Sequence, residues 1–477
     1  MLLVIPCFWQ PIVSGADLQS HLYNAWLAQL ISRGSIHGLW IAHQSTNILV
    51  DMLLSWLMNL FGVSGAERIV AAAVVLIFFW GAFQFISAVR GQPAYWLAPW
   101  LAILTYGVVF QIGLLNYYLS CGIVFWLFAL LWERRFRSLA LWTAPLLILA
   151  YLSHPLPLLW FLAVAAYSWL ARRVRERIQA FLFLGGVAVL FLIRAYIAKR
   201  YFIGWTRTQL REWTGVDQSL LHGWPYVLVI MGFLLFSVIL LSRPENRWRA
   251  LGGVPAQIYF LTAVAITLMP SLIRTSMESA EASLITKRLS LLSGVLLLAV
   301  LSRSTYRRWY LPAGLLAAAI FFGALYRDIG WDARVEAKMA ALVATLPAGE
   351  RVVSFGHFDD EGKLTQWTER VLHLSAGSLQ STHLLDRACL GHCFDYMNYE
   401  PATGQFRIRA TPGNPVVLAS YLDFRAMQSG TYVVKAGDLP LYALIHCGPN
   451  PGDVVLLPMA EGESGTMLAC PGAHAPQ

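Results

Sequence analysis

Charge is scarce in this chain. Of its 477 residues 13% are charged and 57% are hydrophobic, and a soluble chain of this size would carry roughly twice that charged share. One large soluble domain is therefore excluded. Beyond residue 330 there is no apolar run of about 18 residues, so no membrane span is expected there. The first apolar segment has no basic region before it. The chain also lacks a phosphate-cradling glycine loop, a GxSxG nucleophile elbow and the kinase motifs. Its net charge is +9, but the arginines fall in short bursts between apolar runs rather than along one soluble face. That pattern reports membrane topology and speaks against a nucleic-acid partner.

Eleven apolar segments are long enough, with their flanks, to cross a bilayer: 1–13, 66–89, 95–110, 113–132, 139–153, 155–170, 178–197, 225–242, 252–270, 284–302 and 309–326. The expected fold class is a polytopic α-helical membrane protein of about eleven spans, residues 1–330, followed by a β-rich or α+β soluble domain, residues 331–477. The latter segment holds 15 acidic and 10 basic side chains, as an ordinary soluble domain does. Arg90 and the clusters Arg134/Arg135/Arg137, Arg172/Arg173/Arg175/Arg177, Arg243/Arg247/Arg249 and Arg303/Arg307/Arg308 all fall on one side when these spans alternate. The excess of basic residues on cytoplasmic loops then puts the N-terminus inside and residues 331–477 outside.

Residues 46–62 are apolar but carry Asp51 at their centre, where a span would meet a cost of about 2.5–3.5 kcal/mol. A helix lying in the outer interface is expected instead. The first segment is read as an uncleaved span with a start assigned too late, the alternative being signal-peptidase cleavage at Ser14 and Ala16.

Cys7 and Cys121 lie in apolar segments, whereas Cys389, Cys393, Cys447 and Cys470 all lie after residue 330. Four cysteines in an exported domain predict two disulfides, in one of three connectivities. A zinc site on Cys389, His392 and Cys393 is the alternative. Short β-rich runs at RVVSF, QFRIRA, PVVLASYL, TYVVKA, LYALIH and DVVLLP predict strands. HLLDRACLGHCFDYMNYEP, dense in His, Cys, Asp and aromatics, reads as a disulfide-stapled loop or a glycan-binding surface.

Polar residues gather after the first apolar segment, where Asp17, His21, His37 and His43 occur. Asp17 and His21, four apart, share a helix face. A surface carboxylate beside an imidazole suits a general base or metal ligand. The structural alternative is that Asp17 N-caps the following helix. Later loops offer cations for a lipid phosphate, Arg207, Arg211, Arg274 and Lys287, since arginine grips phosphate bidentately; interfacial anchoring explains them equally well. Glu278 and Glu281, three apart, could share a divalent cation. Lys199, Arg200, Glu212, Asp217, His222 and Arg288 lie in the same loops. His154 beside Pro155 reads as structural, and Asn116, Tyr117 and Tyr118 as interfacial residues able to bind a sugar.

One span, a long loop opening on Asp17, then an apolar helix ending in NLFGVSGAERIVAAAVVLIFFW and a basic turn: this order resembles the polytopic GT-C glycosyltransferases that use lipid-phosphate-linked sugars, in particular the bacterial branch related to protein mannosyltransferases and aminoarabinose transferases. The resemblance covers residues 1–135, extends to 136–330 in hydropathy alone, and does not reach 331–477. The neighbours of Asp17, Ala16 and Leu18, depart from the paired acidic residues of many relatives. The resemblance implies a catalytic Asp17 in the inner membrane of a bacterium, and the helix spacing adds His21 as its catalytic companion. It implies transfer of a sugar from a polyprenyl-phosphate donor to a glycan, lipid or protein acceptor on the extracytoplasmic face. Two other functions compete. A transporter of a lipid-linked intermediate would favour paired intramembrane charges, for which Arg194 is the one strong candidate. A catalytically silent subunit of an envelope complex would lack polar groups converging on Asp17.

Overall fold

The computed structural model describes residues 2–13, 15–133, 136–275, 282–358, 364–365, 372–374, 380–398, 401, 407–418, 420–448, 450, 452–468 and 470. Among these, six helices are long and apolar enough to cross a membrane: Leu49–Arg90, Leu115–Trp132, Glu176–Arg200, Trp224–Leu241, Ile285–Ser302 and Tyr310–Val343. A seventh arises if Pro244–Leu251 and Val254–Leu268, bent by 70°, form one span. These helices mark an integral membrane protein. Phe181, Leu184, Phe191 and Leu192 on one of them, and Met231, Leu235 and Val238 on another, are exposed. So much apolar surface is untenable in water but suits lipid.

The expected eleven segments reduce to this smaller number for local reasons. Residues 1–13 form a 3-10 helix only over Leu2–Cys7, with Pro6 inside it; proline removes the amide that a continuing helix would use. Segment 95–110 is divided into Tyr95–Leu97, Ala98–Thr105 and Val108–Gln111. Leu141–Ser153 and Pro155–Ala171 are apolar helices of 10–17 residues, separated at His154–Pro155. The helix Leu49–Arg90 is interrupted at Gly62, whose φ of 70° and ψ of −179° are not helical. Residues 49–61 and 63–90 are thus distinct limbs, matching the sequence-based separation of 46–62 from 66–89.

The chain forms two compact units. The first comprises Met1–Val4, Ala72–Phe110 and Leu115–Leu325; among its described residues helices predominate, and β2, Phe202–Gly204, pairs antiparallel with β3, Leu272–Arg274. The second comprises Ile5–Ala71, Gln111–Leu114 and Tyr326–Gln477. Residues 331–477 therefore share a unit with the polar segment after residue 14.

The second unit is built on a five-stranded sheet. Its strands are β4 (Arg351–Phe358), β5 (Leu364–Thr365), β6 (Phe394–Asp395), β8 (Leu441–His446) and β9 (Val454–Met459). β4 runs parallel to β6 and β8 and antiparallel to β5, and β8 runs antiparallel to β9. Helix Gln380–Cys389 is the crossover between the parallel strands β4 and β6. Alternation sorts the strand residues between two cores. Val352, Leu444 and Val454 join Tyr23, Leu27, Val335, Met339, Leu384 and Leu385 on one face. Val353, Phe355, Ala443, Ile445 and Met459 join Phe424 and Met427 on the other. A separate two-stranded ladder pairs β1, Leu39–Ile41, with β7, Ile408–Ala410.

Three of the expected strands form as read, at RVVSF, LYALIH and DVVLLP. QFRIRA contributes Ile408–Ala410. Among the described residues of PVVLASYL no strand forms: Ser420 accepts the backbone N–H of Asp423 and starts the helix Tyr421–Gln428, a local cap overriding β propensity. TYVVKA keeps a single bridge, Val433 to Ser464. The cysteines pair as Cys389–Cys393 and Cys447–Cys470, so the two sulfurs of the alternative zinc set bond each other. His392 Nε2 lies 2.9 Å from the carbonyl of Leu346.

Candidate active site

Helix Ala16–Ser32 begins after Gly15, whose φ of 155° and ψ of 102° turn the chain into it without a side-chain cap. Asp17 therefore occupies the first turn and is not the cap. There its charge complements the positive end of the helix dipole. Its amide donates to the carbonyl of Ile112 at 2.8 Å.

Asp17, Ser20 and Asn24 follow the i, i+3, i+7 rhythm of one helix face, and this face meets groups from the C-terminal third of the chain. His383 Nε2 lies 3.4 Å from Asp17 Oδ1. Its Nδ1 hydrogen-bonds Ser20 Oγ. Ser20 Oγ donates to Asp386 Oδ2 at 2.5 Å, and Asn24 Oδ1 accepts from Asn398 Nδ2 at 3.3 Å. Nearby, Tyr23 Oη accepts the backbone N–H of Asp395 at 2.9 Å. The Asp17 side chain keeps 25% of its surface exposed, against 2% for His383. Ser20 and Asp386 are fully buried. A cavity of about 10 Å³ is lined by Gly15, Gln19, Asp332 and His383, room for about one water.

The same short helix supplies a third partner. Arg387 Nη2 lies 3.0 Å from Glu67 Oε2, and Glu67 also accepts from Val13 N at 3.1 Å and Gln19 Nε2 at 3.3 Å. His383, Asp386 and Arg387 stand at i, i+3 and i+4 and so share a face. Burial pushes the Asp386 carboxyl above the ordinary carboxylate range, opposed by its bonds from His383 and Ser20.

His21, the expected companion of Asp17, is buried with its Nδ1 2.6 Å from Asp51 Oδ1. Both are closed off from solvent, so their pairing locks the helix to the limb after residue 49. Asp51 is thus the buried partner of an imidazole.

The expected phosphate-binding cations belong to the first unit. Arg207 and Arg211 are the first and last residues of a 3-10 helix and are exposed. Gln209 between them is buried and donates to the carbonyls of Ile266 and Met269 at 2.8 and 2.9 Å, which pins the turn with both guanidinium groups outward. Arg274 sits in β3 opposite Phe202. Lys287 lies 3.3 Å from Asp217 Oδ2 and 3.7 Å from Glu212 Oε1, and Ser290 Oγ donates to Asp217 Oδ1 at 2.5 Å. Burial raises both carboxyls, with Lys287 opposing it. This lysine serves as counter-ion to two acids. His154 caps helix Pro155–Ala171 by accepting from Leu156 N at 3.1 Å, the structural role expected of it. Glu278 and Glu281 lie outside the described residues, as do Arg134 and Arg135. Among the described residues no group of three or more His, Cys, Asp or Glu is placed to hold a metal ion.

Comparison with protein families, curated proteins and solved structures gives no match.

Proposed function

We propose that this chain is a membrane glycosyltransferase of GT-C type, with Asp17 as its general base. Its donor is a sugar carried on a polyprenyl phosphate, and the reaction takes place at the extracytoplasmic face of a bacterial inner membrane. The observation that carries the reading is the contrast within one cluster: Asp17 is partly exposed while its partners His383, Ser20 and Asp386 are buried. A carboxylate held on one side and open on the other can meet an acceptor hydroxyl. Asp17 takes the hydroxyl proton, the oxygen attacks the anomeric carbon, and the bond from that carbon to the phosphate oxygen breaks with its electron pair. A positioned base of this kind supplies about 10²–10⁴-fold.

The departing phosphate needs positive charge. On chemical grounds Arg207, Arg211 and Arg274 suit that role better than Lys287, which already faces two carboxylates. A divalent cation on Glu278 and Glu281 is the other source of that charge.

The test is donor turnover. Purified protein in lipid nanodiscs is incubated with a panel of short-chain polyprenyl-phosphate sugars, and release of free polyprenyl phosphate is followed by mass spectrometry. Release from one donor, stimulated by an acceptor, is expected. Binding without turnover of any donor overturns the reading in favour of a silent subunit. Movement of intact donor across a vesicle bilayer overturns it in favour of a transporter.

A further inference from the structure

The carboxylate proposed as base is one end of a buried chain of exchangeable protons. From Asp17 Oδ1 the chain passes to His383 Nε2 at 3.4 Å, through the ring to Nδ1, to Ser20 Oγ, and on to Asp386 Oδ2 at 2.5 Å. The carboxyl of Asp395, also buried, acts on that of Asp386. Ser20, Asp386 and Asp395 are fully buried and His383 nearly so, which leaves Asp17 as the end open to solvent.

We propose that His383, Ser20, Asp386 and Asp395 form a proton relay that draws the proton received by Asp17 into a buried carboxyl pair. This inference rests on the reading of Asp17 as a base.

Counting hydrogens supports it. Three contacts link Asp17 to Asp386 by way of Ser20, and His383 Nδ1 also lies 3.8 Å from Asp386 Oδ2. A neutral imidazole and a hydroxyl provide two hydrogens between them. One position is therefore open to a further proton, and Ser20, which already donates to Asp386, obliges His383 Nδ1 to donate to Ser20. The Nε2 lone pair then faces Asp17. When Asp17 takes a proton from an acceptor hydroxyl, it can pass that proton to Nε2. Nδ1–H moves to Ser20 Oγ as the Ser20 hydrogen moves to Asp386 Oδ2. Asp17 is again a carboxylate, His383 is the neutral opposite tautomer, and Asp386 carries the proton. No charge remains on Ser20, and reversal returns the proton to solvent through Asp17. Two buried carboxyl groups that act on each other disfavour carrying two negative charges, and burial disfavours the charged form of Asp386, so the inner end suits a proton store.

Among the described residues, other charged groups around helix Gln380–Cys389 are Arg387 with its partner Glu67, on which Arg68 also acts, Glu336, which interacts with both Arg387 and Glu67, and Asp332, which lines the small cavity with His383. Arg387 and Glu67 neutralise each other. His383, Ser20 and Asp386 are positioning residues, because the acceptor meets Asp17.

The relay is tested on the intact protein without donor or acceptor. ¹⁵N-histidine labelling reports protonation and tautomer of His383 across pH, with the resonance assigned by its loss in His383→Gln. Asp386→Asn should move the His383 transition by about one pH unit or more, as a nearby carboxylate does, and should change its tautomer ratio. Ser20→Ala, which adds no bulk, should also change the tautomer ratio and should reduce the further effect of Asp386→Asn when the two are combined, leaving only the direct influence of a carboxylate 3.8 Å from His383 Nδ1. A His383 transition and tautomer ratio identical in wild type, Ser20→Ala and Asp386→Asn overturn the relay. That result leaves sugar transfer untouched, whereas failure of donor turnover with linked titration intact overturns the transferase reading, and with it the relay's role in transfer, while the proton coupling of His383, Ser20 and Asp386 stands.

Discussion

His383 Nε2 and Asp17 Oδ1 lie 3.4 Å apart, so the imidazole facing the first-turn carboxylate comes from the C-terminal third of the chain. Its helix also sends Asp386 to Ser20 and Arg387 to Glu67. Three contacts from three residues of one helix make the C-terminal segment part of the Asp17 site rather than an appendage.

The backbone behind Asp17 leaves no room for a side chain at Gly113. Its φ is +84°, and a Cβ there would stand 2.5 Å from Leu18 N and 2.7 Å from Asp17 N. Gly34 also has positive φ, +67°, but a Cβ there meets nothing within 4 Å. Gly34→Ala should cost about 1–2 kcal/mol, the left-handed penalty alone. Gly113→Ala should cost distinctly more, because the first turn must move. Thermal unfolding of both variants in detergent checks the order, and equal losses contradict it.

Glu67 and Arg387 form a buried ion pair with side chains 0% and 10% exposed. Removing one partner leaves a buried charge, at about 3–5 kcal/mol. Arg387→Met should therefore destabilise strongly. Adding Glu67→Gln should restore much of the loss, a non-additivity that a double-mutant cycle measures.

Cys447 and Cys470 are joined across a separation of 23 residues, and closing a loop of that size confers about 3 kcal/mol on the chain-entropy account. Replacing both with alanine should lower stability by about that amount. Mass spectrometry of the purified protein with and without reduction should show two disulfides. Four free thiols would contradict the pairing.

Stability should also depend on pH through Asp386. Burial raises its carboxyl above the ordinary value. Between those two values the folded chain binds a proton that the unfolded chain has released, so stability falls as pH rises through that window. Asp386→Asn carries no charge at any pH and should flatten this part of the profile, measured by thermal unfolding from about pH 4 to about pH 8. An unchanged slope would contradict the assignment.

Much of the architecture was legible locally. Long apolar runs announce helices such as Trp224–Leu241, and the alternating LYALIH announces β8, because burial imposes the periods of 3.6 and 2. The failures have equally local causes: Pro6 in the first segment, and the Ser420 cap that turns PVVLASYL into a helix start. Of the site, Asp17 was visible from its place after an apolar segment. Its partner was not. The i, i+4 spacing points to His21, yet His21 meets Asp51, because spacing fixes a shared face and tertiary packing selects the contact. In HLLDRAC the spacing of His383, Asp386 and Arg387 puts them on one face, but nothing near them in sequence connects that face to residue 17.

The central claim is that Asp17 removes the acceptor proton in sugar transfer. Asp17→Asn keeps the size of the side chain and removes its basicity. The direct measurement is the rate of sugar transfer from a polyprenyl-phosphate donor by wild type and Asp17→Asn, side by side with their unfolding temperatures. A fall of about 10²–10⁴-fold in rate with an almost unchanged unfolding temperature is the predicted result. Transfer at the wild-type rate by Asp17→Asn would contradict it.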